Sequence, residues 1–420
     1  MSNTETILVH LPSYRDPELI PTIKDALSHA EYPERIHFGV CRQYNPADQF
    51  DNIDEFRLDS RFKIMDVPYK EALGLPWARA QINEKLLTDE DFVLQLDSHH
   101  RFTKNWDSTL IGMHSQMEKQ GYKPIIAGYL PHYNPFKDPV GRADVPWQAQ
   151  FACFYPHGTI FIRPALLSGW ETMTEPAHAR FLSGHFSFAR SQWARDVKHD
   201  PDIYFSGEEI NLSVRSFTHG YNIFHPHRLV IWHSTMREER SGMLKWDDDG
   251  KFGIDWYNKQ EFARKKIRVL FGVEQDDSIV FGDYGLGTSR TLAEYEVFAG
   301  VNFKEKKVQE YALSNQYPPT PNDSPWVNSF YNLVTVHRHE LPGSNYSSIL
   351  IAFDDEDGVG VKSRSIQGKE LHDFISTGKP IHFEEFFTYT GKKPVKMVAW
   401  AVHKDKGWAE RVEHKLEITH

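Results

Sequence analysis

At 420 residues the chain is longer than one hydrophobic core usually serves, so a large domain of about 300 residues and a smaller companion are expected. Hydrophobic residues at 40%, charged residues at 25% and aromatics at 14% exclude a disordered protein. The 48 Lys and Arg fall short of the 58 Asp and Glu, and the resulting net charge of -10 argues against a nucleic-acid binder and against a protein held on anionic membranes by its overall field.

From the N-terminus, Met1 to Glu5 leads into Thr6-Ile7-Leu8-Val9-His10-Leu11, a strand candidate too short and too poor in flanking bases for a signal peptide. Pro17 to Ala30 follows as an amphipathic helix, with Asp16 placed to cap it and Pro17 in its first turn. Ile36 to Val40 and Lys63 to Val67 read as strands, Pro76 to Leu87 as a helix and Phe92-Val93-Leu94-Gln95-Leu96 as a fully buried strand. This βαβ alternation predicts a mostly parallel sheet with helices on both faces, whose ligands bind at the carboxyl ends of the strands. Apolar runs recur less regularly at Ile125 to Gly128, Thr159 to Arg163, Phe181 to Phe188 and Leu229 to Trp232. Helices are expected after Gly207, with Ile210, Leu212, Val214 and Phe217 as their apolar positions, and around Gln260 to Leu270 and Arg290 to Ala299.

The proline-punctuated stretch 316–325 reads as a linker, separating a domain at 1–315 from a β-rich domain at 326–420 whose role the sequence does not name. Strand-like runs at Leu333 to Val336, Ser348 to Phe353, Lys396 to Val402 and Arg411 to Ile418 suggest a small β-sandwich there. Cys41 and Cys153 are too few for a disulfide scaffold, which fits a reducing, cytoplasmic setting. No apolar stretch approaches the ~20 residues of a membrane span, so no integral membrane segment is expected.

The sharpest local feature is Gln95-Leu96-Asp97-Ser98-His99-His100, where an apolar strand ends in an acid, a hydroxyl and two histidines. An acid and an imidazole two residues apart can bend towards one cation, an oxygen and nitrogen set that suits Mn²⁺. The plainer alternative is that Asp97 caps a turn and the histidines face solvent. His132, His157, His225 and His227 receive no role.

Ser13-Tyr14-Arg15-Asp16-Pro17-Glu18-Leu19, Trp77-Ala78-Arg79 and Leu94-Gln95-Leu96-Asp97-Ser98-His99-His100-Arg101-Phe102 together resemble the cytoplasmic polypeptide N-acetylglucosaminyltransferase family of the hydroxyproline-modifying type. Leu182-Ser183-Gly184-His185-Phe186-Ser187-Phe188 and Phe205-Ser206-Gly207-Glu208-Glu209-Ile210-Asn211-Leu212 are similar to the donor-sugar loop and the Gly-Glu-Asn helix of the related polypeptide N-acetylgalactosaminyltransferases. The resemblance runs from Ile7 to about Arg237 and implies a GT-A-like α/β domain with a central, mostly parallel sheet. It implies a metal held by Asp97, His99 and His233, with Mn²⁺ preferred over Mg²⁺, and a donor site made by Ser13, Tyr14, Arg15, Arg79, Asp97, Ser98, Gly184, His185, Glu208 and Arg237. Glu208 and Arg79 are its implied catalytic residues.

Guanidinium groups suit such a site because their donors match two phosphate oxygens at once. The third signature residue is Glu209 instead of Asn, Arg237 stands one position late, and Gly39-Val40-Cys41-Arg42-Gln43 carries no acid for a uracil ring. The implied activity is retaining, metal-dependent transfer of N-acetylglucosamine from UDP-GlcNAc to a hydroxyl on a protein or glycan. Another UDP-sugar used in polysaccharide synthesis, or a non-catalytic carbohydrate-binding protein, are the alternatives.

Overall fold

The computed structural model describes residues 5–235, 244–314, 323–341, 343, 345–378 and 380–416. The chain divides into two compact units, the first made of Met1–Phe151, Ile162–Lys304 and Tyr311–Asp323, the second of Ala152–Phe161, Glu305–Glu310 and Ser324–His420. Most of the linker expected at 316–325 lies outside the described residues.

In the first unit the chain runs β1 (Ile7–Tyr14), α1 (Leu19–His29), β2 (Ile36–Tyr44), β3 (Phe62–Pro68), α2 (Leu75–Lys85), β4 (Phe92–Leu96), β5 (His100–Phe102), α3 (Trp106–Lys119) and β6 (Pro124–Ala127). The hairpin strands β7 (Trp147–Phe154) and β8 (Ile160–Leu166) follow, their shared end Ala152–Phe161 belonging to the second unit, and then come β9 (Ala177–Ala179), β10 (Phe186–Arg190), α4 (Ser191–Asp196), α5 (Glu208–Thr218), β11 (Asn222–His225), β12 (Ile231–His233), α6 (Lys245–Lys251), α7 (Trp256–Leu270) and α8 (Leu292–Ala299). The eight-stranded sheet has the order β3-β2-β1-β4-β10-β6-β11-β9. β3, β2, β1 and β4 are parallel neighbours, β10 is antiparallel to both β4 and β6, and β11 is parallel to β6. This is the mixed, mostly parallel α/β architecture expected of a GT-A-like domain.

Alternation along the strands explains why helices cover both faces. Ile7, Val9 and Leu11 of β1 pack with Leu19 and Ile23 of α1 and Trp106 and Leu110 of α3. Leu8, between them, points the other way and shares a core with Ala78 and Ile82 of α2, Trp193 of α4 and Leu212 of α5. A side-chain period of two forces this split, and it leaves every residue of β4 buried. Where the predicted elements differ, the reasons are local. α1 begins at Leu19, and Asp16 does not cap it; its Oδ1 accepts instead from the Glu18 N–H at 2.9 Å. The run from Phe181 becomes strand only at Phe186, because the backbone at 181–185 turns to meet α5 and Gln95. The sequence pattern missed α3, whose buried residues include the polar Asp107 and His114.

In the second unit Trp326–Val336 pairs antiparallel with Lys307–Gln309 and with Ile381–Tyr389. A second sheet holds Gly360–Ile366, Tyr346–Asp354, Lys396–His403, Gly407–Trp408 and Val412–Lys415. Phe330, Val334 and Phe387 from one sheet and Ile349, Ile351, Phe353 and Ala399 from the other form one core, closed by Leu371 and Phe374 of the helix Gly368–Thr377. That helix and the strands Gly360–Ile366 and Ile381–Tyr389 were not among the predicted elements.

α2 is aimed by the glycine before it. Gly74 has φ 120° and ψ 170°, a region essentially confined to glycine, and a Cβ there would lie 2.7 Å from the Tyr204 carbonyl oxygen. Gly74→Ala is expected to cost about 2 kcal/mol, read as a lower urea midpoint at unchanged m-value.

Candidate active site

Three chain segments meet at the carboxyl end of β4. Asp97 follows that strand directly, and the turn after it places His99 before the short strand β5. β12 pairs antiparallel with β5 so that His233 lies opposite His100, which brings a residue more than a hundred positions away beside the β4 turn. One ligand-type atom from each of Asp97, His99 and His233 falls within 4.8 Å of the others. Asp97 Oδ2 is 3.8 Å from His99 Nε2 and 3.6 Å from His233 Nε2. One carboxylate oxygen and two imidazole nitrogens at that spacing are the donor set of a divalent cation with ligand preferences between those of Mg²⁺ and Zn²⁺, so the residues fit the metal that the motif implies.

The cluster is wrapped in further imidazoles. The His185 ring stacks on His233 with centroids 4.1 Å apart and planes inclined 11°, and its Nε2 accepts from the Leu130 N–H at 3.1 Å. Burial holds His185 and His100 well below the usual imidazole range, with His233 adding to the effect, so both rings are neutral at pH 7. These two rings add no positive charge of their own beside Asp97. Burial works to raise the Asp97 carboxyl, but His233 and Arg79 overcome it and hold it well below its ordinary value.

Arg79 is the connection to the second half of the site. Its guanidinium, fully buried on α2, donates to Asp97 Oδ1 at 2.7 Å through Nη2 and to Glu208 Oε1 through Nη1. Glu208 opens α5 after Gly207, whose φ of 96° turns the chain into the helix. A carboxylate in the first turn is favoured by the helix dipole. Burial pushes the Glu208 carboxyl up, while Arg79 and His199 bring it below its ordinary value. Gly184 packs against this pair: a Cβ there would lie 3.2 Å from Arg79 Nη1 and 3.5 Å from Glu208 Oε2. The ion pair itself thus leaves little room for a side chain at this position.

Three other predicted donor residues, Tyr14, Arg15 and Ser98, have partners within the protein. Arg15 holds Asp48 through two nitrogens, at 2.7 and 3.2 Å, and Asp248 of α6 at 2.8 Å, while the Tyr14 hydroxyl donates to Asp248 at 2.9 Å. The buried Ser13 hydroxyl has no hydrogen-bond partner among the described residues. Ser98 Oγ donates to Asp16 Oδ2 at 2.6 Å, turning that hydroxyl inward. Arg237 lies outside the described residues.

Sequence reasoning also missed several supporting residues. Gln95, read only as part of a buried strand, donates to the Gly184 carbonyl at 2.9 Å and meets His199 Nε2 at 2.7 Å. Glu209, the departure from the Gly-Glu-Asn signature, accepts the Gly184 N–H at 2.9 Å. Asp48 stands four residues beyond β2, and Asp248 sits in the run Asp247-Asp248-Asp249; nothing in either local pattern points to Arg15. A polar residue inside an apolar strand, as at Gln95, was the one available signal.

A mostly parallel sheet carrying an acid and imidazole cluster past its fourth strand, backed by an arginine that ties it to a helix-opening glutamate, is the arrangement of a GT-A-like domain. A family model described as Glycosyltransferase (GlcNAc) matches residues 6–59 and 49–305, and the chain belongs to this glycosyltransferase family. No curated protein sequence matches it. Among solved structures, GalNAc-T7 with UDP, GalNAc and Mn2+ is similar over 70% of this chain and 55% of its own, at 14% identity and a TM-score of 0.46. The chain therefore spans about half the length of that protein. S. aureus TarS is similar over 99% of this chain and 86% of its own, at 10% identity and a TM-score of 0.38. TarS 1-349 in complex with UDP-GlcNAc is similar over 55% and 59%, at 15% identity and 0.36.

Glu209 provides a pH-dependent signature of the site. Burial raises its carboxyl to about 7, against the lowering effect of the Gly184 N–H. Between the ordinary glutamate value and about 7, the folded protein keeps a proton that the unfolded chain has lost, so stability falls as pH rises through that window. Glu209→Gln keeps an acceptor for Gly184 and removes the titration. Relative to wild type it is expected to gain about 3 kcal/mol by pH 8 and nothing at pH 4, measured by urea unfolding across pH.

Proposed function

We propose that this chain is a retaining glycosyltransferase that moves N-acetylglucosamine from UDP-GlcNAc to a hydroxyl on a protein or glycan, with a divalent metal, Mn²⁺ before Mg²⁺, as cofactor. The observation that carries the reading is the unbroken link from the Asp97, His99 and His233 cluster through Arg79 to Glu208. Membership of a glycosyltransferase family named for GlcNAc supports the choice of donor. A metal held by Asp97, His99 and His233 would neutralise charge on the leaving diphosphate.

The remaining work falls to this chain's own groups. Arg79, shared between a ligand carboxylate and Glu208, contributes positive charge beside the diphosphate as the glycosidic bond lengthens. Glu208 orients the sugar through its hydroxyls and offsets positive charge growing at the anomeric carbon. Gly184 keeps the backbone close at this edge, while Ser13, Tyr14, Arg15, Ser98, His185 and Arg237 complete the donor site. The Arg15 guanidinium would meet phosphate by exchanging Asp248 or Asp48 for it. In a front-face, retaining reaction the departing phosphate oxygen accepts the proton of the acceptor hydroxyl, so no separate protein base is needed. The acceptor class follows the resemblance to the hydroxyproline-modifying enzymes, and a cytoplasmic setting follows the low cysteine count. Among the described residues no helix is long and apolar enough to cross a membrane.

A panel of UDP-sugars assayed for hydrolysis and transfer, with Mn²⁺, Mg²⁺ or chelator, tests the reading. UDP-GlcNAc with Mn²⁺ is expected to be turned over fastest, and full activity in chelator would end the metal assignment. Asp97→Ala and His233→Ala should each abolish the metal-dependent part of UDP binding. Glu208→Gln should slow transfer by about 100-fold or more while UDP affinity stays within about threefold of wild type. The product linkage should be α, read from the anomeric coupling constant by NMR; a β-linked product would remove the retaining assignment.

A further inference from the structure

Asp16 lies between β1 and α1, only 1% exposed, and its carboxylate is engaged at both oxygens. Its Oδ1 accepts from the Glu18 N–H at 2.9 Å. Its Oδ2 is 2.6 Å from Ser98 Oγ and 2.7 Å from His99 Nδ1. A carboxylate can only accept, so the ring nitrogen facing it must be the one that carries hydrogen. In the neutral ring the other nitrogen, Nε2, is then bare, and it is the nitrogen that faces Asp97 Oδ2 at 3.8 Å. Thr22, one turn into α1, holds the same loop by its backbone, donating to the Ser98 carbonyl at 2.9 Å and accepting from the His100 N–H at 2.8 Å.

We infer that Asp16 is a positioning residue for the metal cluster: it selects the Nδ1–H tautomer of His99 and fixes the ring so that Nε2 is presented to the cation. Carboxylates that orient a ligating imidazole in this way also raise its basicity, and their loss costs ~10 to 100-fold in metal affinity. The inference rests on reading Asp97, His99 and His233 as a metal site, and it goes further by assigning a role to a residue outside the ligand set. It also gives the inward-facing Ser98 hydroxyl a purpose. Ser98 donates to the same oxygen, so the acid is held from a second side and cannot swing away from the imidazole.

The test combines metal affinity with a direct view of the tautomer. Mn²⁺ binding is measured by electron paramagnetic resonance on the full chain for wild type, Asp16→Ala and Asp16→Asn. Both variants are expected to bind ~10 to 100-fold more weakly, because the Asn side chain cannot accept from Glu18 N–H, Ser98 and His99 together without turning its amide donors on one of them. In metal-free, ¹⁵N-histidine-labelled wild type, the His99 signal, identified by its absence in His99→Gln, should report a protonated Nδ1 and a bare Nε2. Asp16→Ala should move it towards the Nε2–H form, a change that a merely structural role would not produce. If wild type binds Mn²⁺ and both variants bind equally well, the inference falls and the metal reading stands. If wild type binds no Mn²⁺, the metal reading falls and takes the inference with it. Should both variants fail to fold, the wild-type spectrum decides, and a His99 found as Nε2–H overturns the assignment.

Discussion

A guanidinium with no access to water is costly to hold, on the order of several kcal/mol for the desolvated ion alone, and Arg79 is such a group. It is tolerable only because two carboxylates, Asp97 and Glu208, approach it from opposite ends of the site. This requirement organises the first unit. α2 must bring the arginine up from one side, the end of β4 must bring one acid, and the start of α5 must bring the other. His10 of β1 adds a further restraint, its Nε2 lying 3.1 Å from the Arg79 carbonyl. Removing either acid would leave the buried guanidinium with one carboxylate and some of its N–H donors without a partner.

The same charge arrangement gives the site its polarity. Asp97 and Glu208 are both kept ionised against burial, and His100 and His185 beside them are kept neutral by it. Neutral imidazoles are the form in which a ring can accept a hydrogen bond, as His185 does from Leu130.

Behind the charged pair lies a layer of uncharged fasteners. Gln95 links the Gly184 carbonyl to His199, and His199 Nδ1 lies 3.4 Å from Glu208 Oε1. Glu209 takes the Gly184 N–H. The loop at Gly184 is thus held at both its backbone groups. At the rim, Arg15, Tyr14 and Asp248 tie the end of β1 to α6, which fixes where that helix sits relative to the sheet.

Some of this is legible in the sequence alone, and the division has a physical basis. A strand buried on both faces writes itself as a continuous apolar run, so Phe92 to Leu96 reads correctly to the residue, and the acid and imidazoles that break the run at once stand out as a site. His233 can be matched only through a resemblance, because the β5 and β12 pairing that brings it in joins residues distant in the chain. Asp16 looks like a helix cap: an aspartate before an amphipathic segment has that meaning locally, and only the fold shows its second oxygen turned towards Ser98 and His99. Arg15 looks free for phosphate, since neither Asp48 nor Asp248 is near it in sequence. Periodicity and residue type report what each segment must do with water, and they determined most of the strands and helices around the site, while the kind of chemistry was implied by the resemblance. Which charge neutralises which, and which nitrogen of a ring is left bare, depends on distances of a few ångströms between segments far apart in the chain, and only the tertiary structure decided those.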